Sequence, residues 1–338
     1  MHRRIVLAKR PVGAPRADDF RLEQQAPFEP KEGEIVVANW ILSMDPAIRG
    51  FLDDRESYMP PVAIGDTVRG MTLGQVVRSR NPAFQEGDIV RGMAGWEDLS
   101  LVGEAMGLEK VTVAAGIPLE HYMGALGPTG LTAWIGLNEI GRIAPGDTVV
   151  ISAAAGAVGS VAGQIGRLQG CRVIGLAGSP EKTAQLQDLG FHAAINYRAV
   201  DDLAGAIREV SPDGVDVYFD NVGGATLETM LPLMNEQGRV VACGMVSDYN
   251  DQDHPYAVRT LWQVVVKRLT IRGFLVYDHF DRIAEAQAQL TRWVSSGELV
   301  PVNNVRDGLE NAPAAFIDLM SGKTIGKTLV RLRQPHGR

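Results

Sequence analysis

The stretch from Asp147 to Gly178, DTVVISAAAGAVGSVAGQIGRLQGCRVIGLAG, constrains this chain more than any other. Thr148 to Ala153 is an apolar, β-branched run of the kind a fully buried parallel strand requires. Ala154-Ala155-Gly156-Ala157-Val158-Gly159 follows, a GxGxxG pattern with alanine in its first place. A helix is expected over Val161 to Leu168 and a second strand from Cys171. Strand, glycine turn, helix and strand in this order form a βαβ unit, the context in which such a turn binds a dinucleotide. Gly156 lets the backbone approach a pyrophosphate, and Gly159 lets the helix pack closely on the strand. Ala157 and Val158 complete the turn, and the N-terminus of the following helix, with its free N–H groups and partial positive charge, favours phosphate.

The end of the second strand discriminates between cofactors. An Asp or Glu there holds the ribose 2′-hydroxyl of NAD. This chain has Gly178-Ser179-Pro180-Glu181-Lys182. Gly178 leaves room for a 2′-phosphate, and Ser179 and Lys182 can bind it. Glu181 falls early in the next helix, where the dipole favours an acid. NADP(H) is the expected cofactor.

A chain of 338 residues has room for two domains of ordinary size. The net charge of −7 and the absence of a basic cluster argue against nucleic acid and anionic membrane surfaces as partners. The N-terminal MHRRIVLAKRPVGAP has basic residues but no long apolar segment after them, which speaks against a secretory signal or a membrane span. Two cysteines, Cys171 and Cys243, are expected in buried strands as small core residues, consistent with a reducing cytoplasm.

Before about Ala125, short β-rich pieces (Glu34–Trp40, Met71–Val77, Asp88–Val90) are separated by Gly and Pro turns, the rhythm of a small β-barrel-like domain. From Leu126 helices and strands alternate. Helices are expected at Glu181–Leu189, Asp201–Val210 and Ala225–Leu233. Strands are expected at Ala193–Tyr197, Val215–Asp220, Arg239–Gly244 and Leu269–Val276. With the first two strands this makes a doubly wound, six-stranded parallel Rossmann sheet. A helix over Phe280–Ser296 leads to a tail ending in the strand-like Thr328–Leu332, which returns to the first domain. The expected organisation is an α/β chain with a catalytic domain over 1–125 and 300–338 and a nucleotide-binding domain over 126–299.

These features, with several local signatures, resemble the zinc-independent medium-chain dehydrogenase/reductases, in the branch of prostaglandin/leukotriene reductases, plant double-bond reductases and bacterial curcumin-type reductases. The signatures are Ser43-Met44-Asp45-Pro46-Ala47-Ile48-Arg49-Gly50, Ser57-Tyr58-Met59-Pro60-Pro61-Val62, Gly87-Asp88-Ile89-Val90 with Gly95-Trp96, and Phe219-Asp220-Asn221-Val222-Gly223-Gly224. Two more follow, Cys243-Gly244-Met245-Val246-Ser247-Asp248-Tyr249-Asn250 and Gly308-Leu309-Glu310-Asn311-Ala312-Pro313. The resemblance implies a GroES-like first domain. The chemistry the chain lacks agrees with it. Zinc alcohol dehydrogenases need Cys and His ligands in the N-terminal domain. Here both cysteines lie in the nucleotide fold, and His2, His121, His192, His254, His279 and His336 show no ligand spacing.

The resemblance further implies an enzyme that transfers hydride from NADPH to the β-carbon of an α,β-unsaturated ketone or aldehyde, leaving an enolate. Tyr249 matches the family tyrosine near the carbonyl oxygen and cofactor ribose, and is the expected enolate stabiliser. Met44 and Tyr58 are expected to wall the substrate pocket. The cofactor side takes Thr129, Gly156 to Gly159, Lys182 and Tyr197 at the 2′-phosphate, and Asn221. Cys243, Gly244, Ser247 and Tyr249 border the nicotinamide ribose, and Phe274, Leu275 and Val276 the nicotinamide amide. Periodicity alone would make Phe274 and Leu275 core residues. Thr324 stands where relatives carry Asn in the GxNxGK segment, and Ala47 where many have Tyr. A homodimer is a family expectation, and the apolar Trp262–Tyr277 segment suits edge-strand pairing. The alternatives to an enone reductase are an NADPH:quinone oxidoreductase and a non-catalytic NADPH-binding redox sensor.

Overall fold

The computed structural model describes residues 1–55, 57–103, 107–251 and 253–333; His336 lies outside them. The chain divides into two compact units, Met1–Met123 with Asn303–Arg338, and Gly124–Val302.

The first unit opens with an antiparallel ribbon, β1 (His2–Leu7) and β2 (Phe20–Gln25). Its main sheet uses β3 (Ile35–Ser43), β4 (Arg69–Ser79), β5 (Ile89–Gly95), β6 (Leu99–Val102) and β7 (Glu109–Lys110). All nine residues of β3 are buried, because this strand pairs with both β4 and β6 and is covered on its faces. A short helix, α1 (Ile48–Phe51), follows β3.

The second unit begins with α2 (Pro128–Ile135) and then alternates. In order come β8 (Thr148–Ile151), α3 (Ala157–Leu168), β9 (Arg172–Ala177), α4 (Pro180–Asp188), β10 (Ala193–Asn196) and α5 (Leu203–Val210). They are followed by β11 (Val215–Asp220), α6 (Gly224–Met230), β12 (Met234–Ala242), α7 (Trp262–Val266), β13 (Thr270–Gly273) and α8 (Phe280–Ser296). The six strands are parallel, in the order β10-β9-β8-β11-β12-β13. This is the doubly wound nucleotide-binding topology, with its reversal between β8 and β11. Every residue of β8 is buried, as a strand covered by helices on both faces must be. Helix α3 lies very close to the sheet layer: a Cβ at Gly163 would fall 1.8 Å from Phe191 Cζ. The core includes Val150, Ile174, Leu176, Tyr218, Met230 and Val240.

The chain then returns to the first unit through β14 (Asn303–Asp307), α9 (Ala312–Met320) and β15 (Lys327–Arg331). The main sheet of that unit runs β14-β15-β3-β4-β5-β7. Phe20, Trp96 and Phe316 pack as an aromatic cluster, with centroids 5.5 and 5.7 Å apart about Trp96. Among the described residues no helix is long and apolar enough to cross a membrane.

Several expectations need correction. Helix α3 starts at Ala157, one turn earlier than Val161, because Gly156 already has the extended conformation of an N-cap. Cys171 and Cys243 flank β9 and β12 instead of lying within them, and Cys243 is only partly buried. The stretch expected as a strand through Val276 keeps only β13, then turns into a 3₁₀ helix over Val276–His279. Pro232 ends the helix expected through Leu233, leaving α6 and a separate 3₁₀ turn over Leu231–Leu233. Phe274 is half-buried and Leu275 exposed, so neither is a core residue of this chain. The apolar pattern there belongs to the edge of the sheet.

Candidate functional site

Strand ends bring most of the candidate residues to one edge. Gly156 follows β8, Gly178 follows β9, Tyr197 follows β10, Asn221 follows β11, Cys243 and Gly244 follow β12, and Phe274 follows β13. Because the six strands are parallel, all of these positions lie at the carboxyl edge of one sheet. A ligand that meets one of them can meet several, and the crevice at the strand-order reversal is where such sheets bind nucleotides.

The turn at β8 is built for close backbone approach. Ala153 takes a left-handed φ of +47°, an uncommon conformation for alanine. Gly156 is the N-cap of α3, and no side chain caps the helix. The first N–H groups of this twelve-residue helix are thus left to a ligand. At Gly159 a Cβ would sit 2.6 Å from Ala153 O and 2.7 Å from Ala154 Cα, both rigid backbone. Ala157 and Val158 lie between, partly buried. These residues fit a dinucleotide pyrophosphate.

Beside the turn, Ser179 caps α4, its hydroxyl oxygen accepting from Lys182 N at 3.3 Å. Lys182 is half-buried; burial and the neighbouring Arg198 cation hold its pKa below the ordinary lysine value. A Cβ at Gly178 would meet Tyr197 OH at 3.0 Å and Arg198 Nε at 3.3 Å. Two cations and a phenol therefore gather around a residue with no side chain of its own, a cradle suited to a phosphate dianion. Sequence reasoning missed Arg198. Its signal was available: it follows Tyr197 at the tip of β10, the strand hydrogen-bonded to β9.

At the reversal, Asn221 Nδ2 donates to Ser152 O at 2.8 Å and Asn221 N to Ser152 Oγ at 2.9 Å, bridging the ends of β8 and β11. The Cys243–Tyr249 loop lies on that turn: Ser247 Oγ donates to Val222 O at 2.7 Å. The Tyr249 hydroxyl accepts from Met245 N at 3.5 Å. Burial pushes the Tyr249 pKa up; the Met245 contact opposes this and Cys243 adds to it. Burial, then the Asp220 charge, pushes the Cys243 thiol up to about 12.

Thr129 Oγ1 donates to Gly124 O at 3.0 Å near the start of α2. Leu275 is exposed and Val276 partly buried.

The first unit holds the remaining candidates. Met44 is 1 % exposed and packs in the core, so it does not face solvent as a pocket-lining residue would. Tyr58 is 58 % exposed and meets Phe51 edge-on at 5.4 Å. Thr324 is buried. Buried Lys327, unremarked in the sequence, pairs with Asp45 and donates to Met44 O at 3.3 Å, fixing the Met44–Asp45 segment from 282 residues away. No periodicity links residues so distant. Among the described residues no group of three or more His, Cys, Asp or Glu side chains is arranged to hold a metal.

Residues 3–111 match the family described as the N-terminal domain of oxidoreductase, and residues 157–295 the one described as zinc-binding dehydrogenase. The chain is 40% identical over 337 residues to the NADPH-dependent curcumin reductase of Escherichia coli (strain K12), covering 98% of this chain and 97% of that one. It is 37% identical to the 2-alkenal reductase (NADP(+)-dependent) of Nicotiana tabacum, over 97% of both. The crystal structure of CurA from Vibrio vulnificus in complex with NADPH superimposes with a TM-score of 0.91 at 39% identity, covering 98% of this chain and all of that one. Full-length similarity at this level, on the topology above, shows that the chain belongs to the zinc-independent branch of the medium-chain dehydrogenase/reductases.

Proposed function

We propose that this chain is an NADPH-dependent oxidoreductase that reduces the C=C bond of α,β-unsaturated ketones and aldehydes. The observation that carries the reading is the two-cation cradle around Gly178, at the same sheet edge as the Tyr249 loop, in a chain similar throughout to an NADPH-dependent curcumin reductase and an NADP(+)-dependent 2-alkenal reductase. We assign the second unit to NADP(H) and the first, with its returning tail, to the catalytic domain.

Bound NADPH supplies the hydride; the chain's own residues bind, orient and stabilise. Gly156 to Gly159 with the α3 N-terminus take the pyrophosphate. Gly178, Ser179, Lys182, Tyr197 and Arg198 take the 2′-phosphate. Thr129, Asn221, Cys243, Gly244, Ser247, Phe274, Leu275, Val276 and Thr324 complete the cofactor contacts. Tyr58 walls the substrate pocket, with Met44 behind it. Tyr249 donates its O–H to the enolate oxygen. A phenol is protonated at neutral pH in any case and burial moves its pKa further up, so it acts as a hydrogen-bond donor and not as a base. The Cys243 thiol, held protonated, is also spared from adding to the electron-poor alkenes this site handles.

Trp262 at 68 % and Phe280 at 72 % exposure, with Val265, Ile271 and Tyr277, leave an apolar surface around the sheet's edge strand β13. A second copy pairing there makes a homodimer, which light scattering tests: a monomer at micromolar concentration refutes it. The two unpaired cysteines suit a cytoplasmic setting.

The test is NADPH consumption against a panel of enones, enals and simple quinones, with Tyr249→Phe alongside. Turnover is expected with enones and enals. The variant should lose about tenfold in kcat with NADPH affinity intact, less than a rigid oxyanion donor commands because water can substitute. Turnover with quinones alone would establish a quinone reductase, and turnover with none of them an NADPH-binding protein without this catalysis.

A further inference from the structure

At the strand-order reversal sits a buried carboxylate that the chemistry above leaves unused. Asp220, the last residue of β11, is 1 % exposed. One of its oxygens, Oδ1, accepts from Ser152 Oγ at 3.0 Å, Tyr218 OH at 2.7 Å, and the backbone N–H of Val222 and Gly223 at 2.9 Å each. Such bonds to an ionised acceptor are roughly twice as strong as neutral ones. What they hold together is a turn through two glycines, residues that restrict their own backbone least. Gly223 and Gly224 both have left-handed φ, +71° and +54°. The carboxylate fastens the two amides at the start of that turn and, through Ser152, ties it to the end of β8.

The turn in turn carries the Tyr249 loop. Asp220 O accepts from Cys243 N at 2.8 Å and Gly244 N at 3.1 Å, while Asn221 O accepts from Val246 N at 3.3 Å. Val222 O accepts from both Ser247 N, at 3.1 Å, and Ser247 Oγ. Each carbonyl of Asp220, Asn221 and Val222 therefore receives a donor from the loop that ends at Tyr249.

We propose that Asp220 is a positioning residue: its carboxylate sets the Asn221–Gly224 turn, and through that turn the placement of the Cys243–Tyr249 loop at the cofactor edge. The inference rests on the proposed role of Tyr249 for its kinetic consequence but not for its structural one. A purely stabilising core carboxylate would lower resistance to unfolding without disturbing these two segments selectively.

The test is Asp220→Asn, which keeps the shape and an acceptor oxygen while removing the charge. The first readout is amide hydrogen exchange in the cofactor-free protein. Exchange should rise about tenfold in residues 221–224 and 243–247 together, and stay unchanged in β8, β9 and α3, as expected for local opening. The second is steady-state kinetics, where kcat should fall about fivefold to tenfold while the KM for an enone changes less. Exchange that is unaltered, or raised equally across the whole second unit, overturns the proposal. So does selective loosening with wild-type kcat, provided Tyr249→Phe is itself slow. If Tyr249→Phe is silent, the Tyr249 assignment fails, and the exchange pattern alone decides on Asp220.

Discussion

Lys182 and Arg198 show what single residues contribute here. Two cations close enough for one to depress the other's pKa stay together at a cost, which a bound dianion offsets. Removing either should therefore weaken NADPH and spare NADH. For Lys182→Ala the loss is about 1–3 kcal/mol, the scale of a hydrogen bond to a charged group. Titrations of both cofactors against the variant decide it, and equal losses for NADPH and NADH would show that Lys182 does not read the 2′-phosphate. At this scale the sequence was legible wherever a backbone requirement selects a residue: Gly156, Gly159 and Gly178 each stand where a side chain would collide or crowd. It was least legible for residues defined by distant partners. Asp45 and Lys327, or Asp220 with Ser152, become a pair only after the strands are in register. Met44 stands in a signature that implies pocket lining, yet its environment is set by packing that no local pattern encodes.

Elements followed their patterns closely where burial repeats with the period of the element. β11, buried within the sheet, has the boundaries its pattern predicts, Val215–Asp220, and so does α8, Phe280–Ser296, whose 3.6-residue period buries one stripe (Ala286, Leu290, Trp293). The misread stretch after β13 lies at the sheet edge, where apolar residues serve an outer surface instead of a core. The corner between β5 and β6 carries an element-scale prediction. Glu97 is buried there, its Oε1 accepting from Ser100 Oγ at 2.8 Å. Burial pushes its pKa from 4.5 up to about 7, against the opposing pull of Ser100 and Arg4. Between those values the folded protein keeps a proton that the unfolded chain has released. Stability from this group is thus full below about pH 4.5 and lost as pH rises through about 7. Buried His2, 3.8 Å away with a lowered pKa, works in the opposite sense, so the comparison must be with Glu97→Gln. Urea unfolding from pH 5 to 8 should show wild type losing on the order of 3 kcal/mol relative to that variant. Parallel pH profiles would mean that Glu97 remains ionised in the folded protein.

For the molecule as a whole, the two-unit division and the doubly wound sheet follow from one βαβ signature and a change of rhythm near residue 125. The chemistry follows from where six parallel strands end. One edge collects a phosphate-binding turn, a two-cation cradle and a largely buried tyrosine. On the proposed function, this edge directs a hydride to the β-carbon of an enone. The most direct measurement is NMR of the product formed with NADPH deuterated at C4 of the nicotinamide, using each face label in turn. One of the two labels should place deuterium at the β-carbon of a saturated ketone, with the carbonyl intact. Deuterium at the carbonyl carbon of an allylic alcohol, or a product free of label from both faces, would contradict it.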